Sequence, residues 1–151
     1  MYDPVVQQTD ADLASRIVWF DAYVTNVDRT ARNTNMLMWH KRLWLIDHGA
    51  SLFFHHSPGW ETADRARAAF PLIKEHVLLR QATKLAELDA SIATLLTAGQ
   101  IRAIVDLVPD GWLTERDAGI DPARARDAYV RYLTERLDAP RAFVEEAIRV
   151  Q

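Results

Sequence analysis

The chain contains no cysteine, and this absence excludes several kinds of chemistry at once. Thiolate catalysis, cysteine-ligated zinc sites and disulfide frameworks all need that side chain. The chain also lacks an apolar run of about 18 residues, so we expect no membrane-spanning segment. A basic surplus is missing too, because 18 Lys and Arg stand against 21 Asp and Glu, a net charge of −3. Direct nucleic-acid binding, which needs a basic surface, is therefore not expected.

What remains is the composition of an ordinary globular protein. Of the 151 residues, 49% are hydrophobic and 26% are charged, which favours a folded core over disorder. The length fits one domain, residues 1–151. The N-terminus does not show a basic flank followed by an apolar run, so we predict no signal peptide and a cytoplasmic location.

The first half of the chain predicts a helix, a polar loop and a hairpin. Thr9 and Asp12 resemble a capping box before a helix over residues 10–25. Leu13, Ile17, Phe20 and Val24 form one apolar stripe, and Trp19 and Tyr23 lie on a neighbouring one. A helix that is apolar on both stripes is predicted to be mostly buried. Residues 26–35 hold only two apolar residues and predict a functional loop between apolar segments. Residues 36–40 and 43–47 predict a β-hairpin.

The second half is predicted to be helical. The expected helices cover residues 62–69, 82–96, 97–108 and 121–137, with a last short one after Pro140. Thr97 with Gln100 forms a capping-box pattern, Asp121-Pro122 a helix start, and residues 109–111 a turn. The fold class is therefore α+β and mostly α-helical, with one small hairpin. The tryptophans are predicted to be core residues, and a solvated helix face is predicted for Arg124, Arg126, Arg131 and Arg136.

Three polar residues around the loop and hairpin point to a metal site. Asp28 and Asn33 are five residues apart in the loop, and Asp47 follows the hairpin. Because a hairpin brings its two ends together, we expect these side chains to converge. Two carboxylates and an amide suit Mg²⁺, which prefers oxygen ligands.

The spacing is also typical of a kinase catalytic loop followed by a metal-binding Asp-x-Gly triplet. The segments Asn26-Val27-Asp28-Arg29, Asn33 and Ile46-Asp47-His48-Gly49 resemble the HipA-like kinases and, more remotely, the phosphatidylinositol kinases. Most protein kinases have His-Arg where this chain has Asn26-Val27, which favours the HipA side. The resemblance implies a kinase C-lobe that transfers the γ-phosphate of ATP to a Ser or Thr hydroxyl with Mg²⁺. Toxin members of that family phosphorylate aminoacyl-tRNA synthetases, so it also implies a protein substrate and an antitoxin partner.

The same resemblance assigns roles to individual residues. Asp28 would orient the acceptor hydroxyl and take its proton. Asn33 and Asp47 would hold Mg²⁺ against the ATP phosphates. Arg29 and His48 would contact the cofactor.

The sequence departs from a whole kinase in the parts that grip ATP. The five glycines are dispersed, at positions 49, 59, 99, 111 and 119, and form no Gly-rich lid. Lys41, Lys74 and Lys84 all follow the predicted catalytic loop, whereas the ATP-gripping lysine should precede it. We therefore expect the N-lobe to lie outside these 151 residues, or catalysis to be lost. A missing N-lobe predicts an apolar patch around the hairpin, and with it a homo-oligomer or a docking partner.

Several alternatives stay open from the sequence alone. The chain could be a catalytically silent interaction module derived from a kinase lobe, or a metal-dependent hydrolase that uses Asp28, Asp47 and nearby histidines. Asn35 competes with Asn33 as the metal-binding amide, although Asn33 has the better spacing. Asp21 fits either a hydrogen bond to the catalytic loop or an exposed edge of its helix.

Overall fold

The computed structural model describes residues 2–62, 64–114 and 120–151. These residues form mostly helices with one two-stranded antiparallel sheet, in agreement with the predicted α+β class. In chain order the elements are α1 (Ala11–Tyr23), β1 (Met36–Trp39), β2 (Arg42–Leu45), α2 (Leu85–Ala93), α3 (Ala98–Val105), α4 (Asp110–Thr114), α5 (Pro122–Arg136) and α6 (Ala142–Arg149). Three 3₁₀ turns lie between β2 and α2, at Phe53–His56, Pro71–Glu75 and Leu79–Gln81.

Helix α1 forms where the sequence predicts it but is capped and oriented differently. Asp10, not Thr9, is the N-cap, and its carboxylate accepts the backbone N–H groups of Asp12 and Leu13. Leu13 and Phe20, predicted to be buried, are 42% and 39% exposed. Ile17 of the same stripe is buried, and so are Trp19 and Tyr23 on the neighbouring stripe. The prediction of a mostly buried helix is therefore confirmed for these residues and wrong for Leu13 and Phe20.

The predicted hairpin is confirmed, with Met36 opposite Leu45 and Trp39 opposite Arg42. His40 and Lys41 close it with φ values of 48° and 61°. Two consecutive positive φ angles are typical of the turns that match strand twist. Trp39 is 62% exposed, Trp44 50% and Trp112 72%, so the prediction that the tryptophans are core residues is wrong for these three.

The C-terminal helices follow the cap signals. The Thr97–Gln100 capping box is present at α3, and Asp121 caps α5 ahead of Pro122. Two predictions are wrong: the described residues of 62–69 form turns and coil, and residues 110–114 form the short helix α4 where a turn was expected. No single helix in the described part of the chain is long and apolar enough to cross a membrane. Helices α2 and α3 reach that length and composition only as a pair bent by 77°.

Arg136 is the main correction on α5, because its side chain is buried and not solvated. Its guanidinium donates to the carbonyl oxygens of Ala22 and Tyr23, which end α1, and to those of Ala66 and Ala68. It also lies 4.5 Å from the ring centroid of Phe143. Arg136 therefore ties α5 and α6 to the end of α1, where the polar loop begins.

Candidate functional site

The polar loop, residues 26–35, is fixed by backbone hydrogen bonds at its start and in its middle. Asn26 N–H donates to the Asp21 carbonyl at 2.8 Å, and Thr30 N–H donates to the Asn33 carbonyl at 2.9 Å. Thr30 also forms an isolated antiparallel bridge with His76. The loop is thus bound to both α1 and the 3₁₀-rich segment that precedes α2.

Beneath the loop lies the carboxylate of Asp21, which is completely buried. Its Oδ1 accepts from Asn26 Nδ2 at 2.9 Å, and its Oδ2 accepts from Arg29 Nε at 2.5 Å and from His76 Nε2 at 2.9 Å. Of the two placements open from the sequence, the structure shows the hydrogen-bonded one. Burial works to raise the pKa of Asp21, but the hydrogen bonds from His76 and Arg29 outweigh it and hold that pKa below its usual range.

His76 is the site residue that sequence reasoning missed. Its Nδ1 accepts the Leu78 backbone N–H at 3.0 Å, so the ring proton is on Nε2, where it is donated to Asp21. The ring is therefore a neutral donor with both nitrogens satisfied. His76 lies 55 positions after Asp21 in the chain, and no spacing rule connects them.

Arg29 is placed differently from the expected cofactor contact. Its side chain is fully buried, paired with Asp21, and also donates to the Asn35 carbonyl. Its remaining amino group lies 3.4 Å from His48 Nδ1. The guanidinium presents no surface to a phosphate here; instead it joins the loop to the triplet that follows β2.

His48 itself is an exposed residue. Besides the Arg29 contact, its ring meets Phe20 edge to face, with centroids 6.1 Å apart. The contact of His48 with a cofactor stays a prediction.

Asp28 and Asn33 are brought together as the sequence predicts. Asp28 Oδ2 accepts from Asn33 Nδ2 at 2.8 Å and from Asn35 Nδ2 at 3.2 Å, while the Asp28 backbone N–H donates to Asn26 Oδ1. Because Asn33 donates through its nitrogen, its carbonyl oxygen is the atom left to bind a cation. The carboxylate of Asp28 is thus oriented by two amides on a fixed loop.

Asn35 has a different role from Asn33. It is buried and has a positive φ of 45°, a conformation that asparagine tolerates better than most residues. Its amide reaches Asp28, and its carbonyl accepts the Ile46 N–H at 2.9 Å. Asn35 therefore links the loop to the far end of the hairpin.

Asp47 directly follows Ile46 in the chain, and its side chain is exposed. It has a φ of 51°, and its Oδ1 accepts the Gly49 N–H at 3.3 Å. A Cβ atom at Gly49 would lie 3.4 Å from the same oxygen, which is an ordinary van der Waals contact, so this contact does not require glycine. The donor types of Asp28, Asn33 and Asp47 fit a hard cation such as Mg²⁺. The separation of Asn33 from Asp47 stays a prediction.

A site built from histidines and carboxylates finds no support. Among the described residues, no group of three or more His, Asp or Glu side chains could hold a metal ion. The hydrolase alternative needs such a group.

A search of curated proteins and a search of solved structures each found no match. The sequence model of one family, described as HipA-like kinase, matches residues 3–144, which include the loop, the hairpin and the helices that hold them. The chain therefore belongs to the HipA-like kinase family.

Proposed function

We propose that this chain carries the catalytic loop and the metal site of an ATP- and Mg²⁺-dependent phosphotransferase that phosphorylates a Ser or Thr hydroxyl of a protein. The observation that supports this most is the Asp28 carboxylate, held by the amides of Asn33 and Asn35 on a loop fixed by the buried Asp21. Phosphoryl transfer depends mainly on positioning and electrostatics, and this arrangement provides positioning.

Asp28 is the proposed general base. Both loop amides bind its Oδ2, and among the described residues no hydrogen bond reaches its Oδ1. That oxygen is free to accept the proton of an acceptor hydroxyl. Asn33 and Asp47 would hold Mg²⁺, which supplies charge neutralisation on the ATP phosphates when bound.

The ATP grip is proposed to come from a second lobe, because no lysine precedes Asp28 in this sequence. The surface for such a lobe is the hairpin patch, defined as Trp39 and Trp44, which lie on the same face of the hairpin. These side chains are 62% and 50% exposed, and their indole rings lie 6.3 Å apart. An exposed aromatic surface suits both an adenine ring and another lobe.

Two isosteric substitutions test these roles, in the chain joined to an ATP-binding N-lobe of the same family. Asp47→Asn should abolish Mg²⁺-dependent nucleotide binding, measured by calorimetry. Asp28→Asn should keep nucleotide binding and remove phosphotransfer, because its role is in the proton transfer. Asp64→Asn, an exposed carboxylate outside the site, is the matched control. Full phosphotransfer by Asp28→Asn would reject the proposal.

A catalytically silent interaction module is the second candidate, and the hairpin patch is the observation that favours it. For that function, the patch alone should bind a partner protein, such as an antitoxin. Substitution of Asp28 should then leave partner binding unchanged, and no supplied N-lobe should restore phosphotransfer.

For either candidate, we expect the chain alone to bind Mg²⁺-ATP only weakly. A dissociation constant in the low micromolar range or tighter would contradict the need for a second lobe.

A further inference from the structure

A cavity lies between the segment that follows β2 and helix α5, away from the side chains assigned to phosphotransfer. Its volume is about 190 Å³. Phe53, Phe70 and Leu72 provide apolar walls, and Phe53 and Leu72 leave it partly open to solvent. An apolar cavity of roughly 150 Å³ is enough to hold benzene. The space therefore fits a single aromatic ring.

Thr25 and Tyr132 line the same cavity beside its apolar walls. Thr25 is 6% exposed, and its hydroxyl interacts with the Tyr132 phenol, which works to lower the pKa of that phenol although burial raises it overall. Both side chains are buried. The polar contact of a ligand therefore has to come from the rim of the cavity.

The charges around the cavity have one sign. Arg65 is exposed at its rim and forms no ion pair with any described residue. Arg136 lines it from below, and its hydrogen-bond partners are carbonyl oxygens and not carboxylates. No Asp or Glu is among the described residues that line the cavity. Its surroundings therefore favour an anion.

We propose that this cavity binds a small aromatic carboxylate. The ring lies against Phe53, Phe70 and Leu72, and the carboxylate pairs with Arg65 at the rim. Thr25 directly precedes Asn26, whose amide binds Asp21 beneath the catalytic loop. A ligand at Thr25 therefore touches the entry of that loop. This inference stands on the cavity alone and does not depend on phosphotransfer.

Three probes of equal size and different charge test the proposal on the unmodified chain: benzoate, benzyl alcohol and benzylamine. Their affinities are measured by amide chemical-shift perturbation. We expect benzoate to bind most tightly and benzylamine most weakly, with shifts centred on Thr25, Phe53 and Phe70. Equal affinities, shifts centred elsewhere or no binding of benzoate would each overturn the proposal.

Two arginine variants then separate a specific contact from a general field. Arg65→Gln should weaken benzoate binding by about threefold to tenfold and leave benzyl alcohol unchanged. Arg67→Gln is the control, because Arg67 is an exposed neighbour that pairs with Asp138 and does not line the cavity. Both residues are exposed, so neither change should affect folding. An equal effect of the two variants would contradict a carboxylate site at Arg65.

Discussion

At the scale of single residues, Asp21 is the side chain on which the position of the polar loop depends most. This carboxylate has no exposed surface and receives hydrogen bonds from Asn26, Arg29 and His76, which come from two separate segments. A buried ion pair gives little net stability against an apolar replacement, but removal of one partner leaves the other charge buried and uncompensated. Asp21 therefore positions the loop and does not itself meet a substrate.

We expect Asp21→Asn to lower the free energy of unfolding by about 3–5 kcal/mol, because it leaves the Arg29 charge without a counterion. Urea denaturation followed by circular dichroism measures this loss. Asp64→Asn, an exposed change of the same charge, should alter the stability by less than about 0.5 kcal/mol. A loss below about 1 kcal/mol for Asp21→Asn would show that the buried pair does not hold the loop.

The pH dependence of stability follows from the same residue. The pKa of Asp21 is lower in the folded protein than in the unfolded chain, where it is about 3.9. Its contribution is therefore complete above the unfolded pKa and is lost as the pH falls through the lower folded pKa. We expect the stability difference between the wild type and Asp21→Asn to be constant near neutral pH and to shrink below about pH 4. Denaturation curves at several acidic pH values measure it; a difference that grows towards acid would contradict this sign.

At the scale of elements, the loop depends on how the end of α1 is held. Arg136 on α5 donates to the last two carbonyls of α1 and to Ala66 and Ala68, although burial lowers the pKa of its guanidinium. The residue replaces a local cap with a long-range one. The end of α1 and the segment around Ala66 are therefore fixed by the same side chain.

We expect Arg136→Met to lower the free energy of unfolding by about 3–5 kcal/mol, because four carbonyl groups each lose a donor together. Thermal and urea denaturation measure this effect. Arg131→Met, on the same helix, removes an exposed side chain with one bond to the Glu61 carbonyl and should cost no more than about 1 kcal/mol. Similar losses for the two variants would refute the capping role of Arg136.

The hairpin patch gives the second prediction at this scale. We expect the isolated chain to associate through it, because exposed apolar surface of this kind drives association. The double change Trp39→Ser with Trp44→Ser should weaken that association by more than about tenfold, measured by sedimentation velocity. Trp112→Ser is the control, since Trp112 is 72% exposed but lies on α4. A wild-type chain that stays monomeric at high concentration would contradict the expectation.

At the scale of the whole molecule, sequence reasoning succeeds where the signal is local. The loop, the hairpin and the contact of Asp28 with Asn33 follow from spacing and alternation over about twenty residues. Sequence reasoning fails for contacts between residues that are far apart in the sequence. His76, which contacts Asp21, lies in a segment of 3₁₀ turns that has no regular periodicity. The helix wrongly predicted over residues 62–69 lies in the same segment.

Arg136 is an intermediate case, because a signal for its burial was present. It lies on the same helical stripe as Ala125, Ala128 and Tyr132, all of them buried. The charge of its side chain favoured a solvated face, but backbone carbonyls from two other segments satisfy its donors. Burial of an arginine depends on partners that a single helix pattern does not contain.

The most direct test of the central claim is to map the site of a bound metal–nucleotide. Mn²⁺ with ADP is added to the ¹⁵N-labelled chain, and paramagnetic broadening of amide signals reports which residues lie near the metal. We predict broadening centred on residues 28–35 and 47–49, and its loss in Asp47→Asn but not in Asp64→Asn. Broadening centred on another part of the chain, or unchanged by Asp47→Asn, would contradict the assignment of Asp28, Asn33 and Asp47 to one metal–phosphate site.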